Sequence, residues 1–242
     1  MSKVQVFMLA VALLGCASEP PPDTGSYDPM ADPDGDGLTN QQEEALGSDN
    51  RNSDTDGDGW DDGAEVSGNT DLLDPEDHPY TGGWSIAACR DGVQSTGSNV
   101  GDVSEDFGLV DQYGDTVRLH SFCDRVVLVV ALQTTPYQEM DDVVDDEVLP
   151  LWEAYERDGL MVLMLMGPED GVEPNQEHVG DWAKTQGLTH PVLADVGWET
   201  TKRWTVGAEP SPPYFVLFSE GSKIAVLDDA LDPNLVAASL GL

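Results

Sequence analysis

The sequence predicts an α/β domain, a central mixed sheet flanked by helices, preceded by a small acidic repeat module and a tether. Three patterns carry that expectation. Two uninterrupted apolar runs, Val126–Leu132 and 161–166 (MVLMLM), have the length and composition of strands buried on both faces. The segments after them place apolar residues at helical spacing. An acidic twelve-residue unit occurs twice, 22 residues apart, ahead of all of these.

The α/β domain is expected over 84–242. Residues 107–110 and 116–119 read as a hairpin around Gly114. After the first apolar run, Val144, Val148, Leu151, Trp152 and Tyr155 fall on one helical face, with Pro150 as an expected kink. The second apolar run leads to a helix over 175–187 that Gly187 closes. A short strand (PVLAD, 191–195), a short helix (199–204) and a hairpin of YFVLF and KIAVL around Gly221 follow. The last helix is capped by Asp232, with Pro233 at its first position. Strands alternating with helices, then an antiparallel pair, give the layered α/β class.

Charge separates this domain from what precedes it. The 242 residues hold 47 acids against 10 Lys and Arg, a net charge of −37. Such a surface repels phosphate backbones, which excludes nucleic acid as a partner. From Asp23 to Asp77 there are 18 acids and one base, Arg51. Within that stretch the two units are DPDGDGLTNQQE and DTDGDGWDDGAE. Oxygen ligands recur at positions 1, 3, 5, 9 and 12: Asp32, Asp34, Asp36, Asn40 and Glu43, then Asp54, Asp56, Asp58, Asp62 and Glu65. Gly37 and Gly59 stand at position 6, where the chain turns around the ion, and Leu38 and Trp60 at position 7, which offers a carbonyl. This is the donor logic of a calcium loop, and it implies two Ca²⁺ ions. No helix precedes the first loop, where PPPDTGSYDPMA lacks apolar periodicity, and only short ones follow the loops, near 41–46 and 63–66. The arrangement over 31–79 resembles bacterial thrombospondin type 3 repeats, with DLLDPEDHP as a decayed third unit. In such modules calcium acts as a folding ligand.

The N-terminus carries Lys3, a short apolar run, and Leu13-Leu14-Gly15-Cys16. This resembles the lipobox of exported bacterial lipoproteins. The resemblance implies a signal peptide over 1–15, cleavage before Cys16, and a lipid on Cys16 that holds the chain to the bilayer. Ala17 after it implies the outer membrane, on its periplasmic or surface face. Residues 16–30, with three consecutive prolines, read as a disordered tether. If Cys16 is lipidated, Cys89 and Cys123 remain as an even pair in an oxidising compartment. They either form a disulfide or stay as two buried thiols.

The segments DFGLVDQYGDTVRLHSF, RVVLVV and EPSPPYFVLFSEGSKI resemble exported thioredoxin-fold proteins of the redoxin group, over roughly 101–242. The resemblance implies a cis-proline before the strand facing the active site. Pro212 is the better fit and Pro213 the alternative. It also implies Cys-x-x-Cys at the start of the first helix, where N–H groups and the helix dipole stabilise a thiolate. Thr135, Pro136, Tyr137 and Gln138 stand there instead. A hydroxyl and an amide form no disulfide and do not ionise near neutral pH. The expectation is a redox-degenerate domain whose groove binds an extended peptide or an envelope protein. The alternative is an envelope oxidoreductase that uses Cys89 and Cys123. Among the histidines His78, His120, His178 and His190, none falls in a metal-binding or catalytic pattern.

Overall fold

The computed structural model describes residues 27–133, 138–205 and 210–242. Two short helices open it. Helix α1 (Asn40–Leu46) starts in a capping box: Thr39 accepts the N–H of Gln42, whose side chain accepts the N–H of Thr39. Gly47, at φ 92°, ends it. Helix α2 (Asp62–Gly68) ends on Asn69, a left-handed residue at φ 59°. The Asn69 side chain donates to the Ile86 carbonyl at 2.8 Å, which ties the module to the chain beyond it.

A two-stranded antiparallel ribbon, β1 (Gly108–Val110) and β2 (Thr116–Arg118), precedes the main sheet. That sheet has five strands: β3 (Val126–Leu132), β4 (Leu160–Met166), β5 (Val192–Ala194), β6 (Tyr214–Ser219) and β7 (Lys223–Asp228). Their spatial order is β5-β4-β3-β6-β7. β3, β4 and β5 run parallel, while β6 is antiparallel to both β3 and β7. Every residue of β3 and β4 is buried, as unbroken apolar runs require. The helical stretch after β3 comprises α3 (Gln138–Val143), one widened π turn over Val144–Val148, and α4 (Leu149–Tyr155). The change of winding sits just ahead of Pro150, whose ring cannot continue the regular bonding. Helix α5 (Gln176–Gln186) packs on β5, and α6 (Pro233–Ser239) on β3.

Four strands in the order β7-β6-β3-β4, with β6 reversed, and a helix leaving the carboxyl end of β3 make this a thioredoxin-like fold. Edge-to-face contacts of Trp204 with Phe107 and Phe218 fill the core under β6.

Residues 79–92 are woven into the domain. The Trp84 indole donates to the Thr189 carbonyl, the Tyr80 hydroxyl meets Ser121, and the Ala87 N–H donates to the Ser121 carbonyl. Cys89 and Cys123 are bridged, with Cα atoms 6.2 Å apart. The bridge closes a loop of about 35 residues, a constraint of roughly 3–4 kcal/mol on the unfolded chain.

Candidate metal centre and strand-end groove

The two acidic loops fold alike because their backbone closures are alike. The N–H at position 9 donates to the carbonyl just before position 1: Asn40 to Ala31 at 2.9 Å, and Asp62 to Ser53 at 2.8 Å. The first aspartate of each loop receives two N–H groups. Asp32 takes those of Gly35 and Gly37, and Asp54 those of Gly57 and Gly59. At position 7 the N–H of Leu38 donates to Asp36 and that of Trp60 to Asp58.

A surplus of acceptors remains. Both carboxylate oxygens of Asp34, Glu43 and Glu65, one each of Asp36, Asp56 and Asp58, and Oδ1 of Asn40 are buried with no donor. Buried acceptors without partners are costly, and this many in two loops imply a cation. Burial and the facing Asp34 and Asp36 push the Glu43 carboxyl up to about 7. Burial and the facing Asp56 and Asp58 push Glu65 up to about 8. Asp32, Asp34 and Asp36 converge within 4.8 Å of one another, as do Asp54, Asp56 and Asp58. The donors are all hard oxygens, with no histidine or cysteine among them, which suits Ca²⁺.

One predicted ligand is placed in an unexpected way. Asp62 belongs by sequence to the second loop, yet its carboxylate lies within 4.8 Å of Asp36 and Glu43 of the first. Its oxygens accept the N–H and the hydroxyl of Thr55, both at 2.7 Å. Asp62 therefore sits between the loops and adds negative charge to Glu43 and Glu65 alike. The next residue explains how the loops come so close. A Cβ on Gly63 would lie 2.1 Å from the Asp36 carbonyl oxygen. Spacing alone singled out neither Thr55 nor Gly63. The one available signal was a glycine at position 10 where the first loop has Gln41.

At the carboxyl end of β3, Thr135, Pro136 and Tyr137 lie outside the described residues. Gln138 opens α3. The expected cis-proline is corrected by one position: the cis bond is Pro212–Pro213, so Pro213 and not Pro212 is the cis residue. Register explains the choice. Tyr214 pairs with Ala131, so the residue before it faces the last residue of β3 and the turn beyond. Cys123, by contrast, precedes β3 at its amino end. Seven strand residues at about 3.3 Å each put roughly 20 Å between the disulfide and that turn. Cys123 is buried and Cys89 exposed. Cys16 lies outside the described residues.

Residues 32–49 and 54–75 match the bacterial TSP3 repeat. No curated protein matches the chain. Solved structures resemble its α/β part at low identity. The thioredoxin domain of a thiol-disulfide oxidoreductase from Bacteroides vulgatus is 13% identical over 58% of this chain and 94% of its own, with a TM-score of 0.45. A thiol:disulfide interchange protein from Bacteroides sp. is 14% identical over 59% and 91%, with a TM-score of 0.49. A thioredoxin family protein from Chlorobium tepidum TLS, also a thiol:disulfide interchange protein, is 13% identical over 61% and 99%, with a TM-score of 0.47. The protein thus joins TSP3 repeats to a thioredoxin-like domain.

Proposed function

We propose that this is an exported lipoprotein, anchored through Cys16, whose repeats bind two calcium ions and present a thioredoxin-like domain for binding rather than for catalysis. The observation that carries the calcium reading is the set of buried, donorless carboxylate oxygens in two matching loops. Asp34, Asp36, Asn40 and Glu43 would hold one ion, and Asp56, Asp58 and Glu65 the other, with Asp62 between them. The cation supplies the positive charge these acids lack and so acts as a folding ligand. Calorimetric titration of the chelator-treated protein tests this. Two ions with affinities on the order of 10⁻⁴ M support it, and no saturable heat refutes it.

The binding reading rests on what stands at the β3–α3 turn. Thr135 and Gln138 stand where thiols would, and an extended peptide or an envelope protein would lie between that turn and Pro213. Crosslinking to envelope proteins, compared between the native chain and Tyr137→Ala, tests it. Equal capture by both counts against the groove.

A second reading has its own observation, the closed Cys89–Cys123 bridge with Cys89 exposed. A substrate dithiol would attack the Cys89 sulfur, release Cys123 as thiolate, and leave oxidised as the bridge becomes a dithiol. This reading predicts a potential near those of exported oxidoreductases, whereas a structural bridge resists glutathione. Equilibration in glutathione buffers with thiol alkylation separates the two.

A further inference from the structure

A cavity of about 490 Å³ opens where β4 ends, away from both acidic loops and from the disulfide. Its volume falls in the roughly 300–1,000 Å³ range of small-ligand sites. It also lies at the carboxyl end of a parallel strand, where α/β sheets bind their ligands. One wall is helix α5, which turns His178, Asp181, Trp182 and Thr185 toward it, the i, i+3, i+4, i+7 stripe of a single face. The facing wall is a tight turn over 169–172.

That turn is closed by its own backbone. Glu169 and Val172 exchange both backbone hydrogen bonds, at 2.9 and 2.7 Å. Asp170 holds a left-handed φ of 46°, uncommon for a residue with a side chain, and Gly171 follows at 78°. Strain of this kind persists where a neighbouring geometry is needed. Here the turn stands Val172 over the cavity with 56% of its surface exposed. Behind it the Asn175 side chain caps α5 through the His178 N–H.

The lining has two chemical characters. Met166, Val172, Pro174 and Trp182 give an apolar, partly aromatic interior. Asp170 and Asp181, both exposed, stand at the rim with the half-buried Glu169; His178 is the one basic side chain there, and no lysine or arginine lines the cavity among the described residues. An apolar body beside a carboxylate rim, with an indole in the wall, complements a cation on a hydrocarbon or aromatic frame.

We propose that this cavity binds an organic cation, an ammonium or guanidinium group carried on an apolar or aromatic body. The charge meets Asp170 and Asp181, and the body lies against Trp182, Val172 and Met166.

The test uses the full chain saturated with calcium, so that the acidic loops do not compete for the probe, at about 0.15 M salt, where exposed charges beyond a Debye length are screened. The probe is phenethylammonium, followed by calorimetry and by ligand-observed NMR, with neutral 2-phenylethanol as its comparison. Saturable binding of the cation, at least about tenfold weaker for the alcohol, is expected. Asp181→Asn and Trp182→Leu should each weaken it about fivefold or more, while Glu156→Gln, outside the cavity, leaves it unchanged. If Trp182→Leu does not fold, the exposed positions Asp181 and Val172 (Val172→Ser) decide. No saturable binding, equal binding of the alcohol, or an equal loss in Glu156→Gln would each overturn the proposal.

Discussion

The repeat module and the thioredoxin-like domain are built on opposite principles. Strands β3 and β4 bury fourteen side chains, all of them apolar. Within the module only Leu38 and Leu72 are buried hydrophobics, while Glu43, Asp62 and Glu65 are fully covered. In the domain, burial removes apolar surface from water and supplies the driving force. In the module, burial brings like charges together, which opposes folding unless a cation offsets them. One chain therefore joins a part rich in buried, donorless carboxylates to a part built on an apolar core.

The sharpest way to break this contrast is to remove charge from the module. Glu43→Gln with Glu65→Gln removes the charge of both terminal ligands, and calcium affinity should fall at least about tenfold, since ligand charge tunes such sites. Circular dichroism should show the module unfolded at calcium levels that fold the native chain, with the domain's melting unchanged. The reciprocal change is in the domain. Replacing Cys89 and Cys123 together by alanine should cost it roughly 3–4 kcal/mol by denaturant unfolding. Calcium stoichiometry should be the same before and after.

A smaller lesion tests how the loops fit together. Gly63→Ala places a methyl against the Asp36 carbonyl. It should cost about 1–3 kcal/mol, as overpacking does, and weaken the first ion site by calorimetry although Gly63 is itself no predicted ligand. The smallest effect concerns His190, fully buried in the domain. Burial lowers its pKa to about 4 from the usual 6.5. As pH falls, the unfolded chain takes up this proton first. The stability held by the neutral ring is therefore complete above about 6.5 and is lost down toward 4. His190→Leu should flatten that part of the stability–pH curve in calcium-saturated protein and cost little at pH 7.

Much of the domain was legible in the sequence, because the runs 126–132 and 161–166 have no reading in solvent and the YFVLF–KIAVL pair carries its own turn. The acidic loops were legible because the spacing of their carboxylates is local. Contacts between elements were not. Asp62 reaches the first loop only because Gly63 lets α2 approach it, and no spacing rule encodes that approach. The cis bond fell on Pro213 rather than Pro212 because register against β3 decides it, and two adjacent prolines look alike in one dimension. The cavity beside Trp182 depends on Asp170 in a left-handed conformation, which composition does not announce.

Hydrogen exchange of the whole chain, with calcium and after chelation, reads the contrast between module and domain segment by segment. Protection across 32–75 should collapse without the ion while β3 and β4 exchange as slowly as before. Unchanged protection across 32–75 after chelation would contradict it.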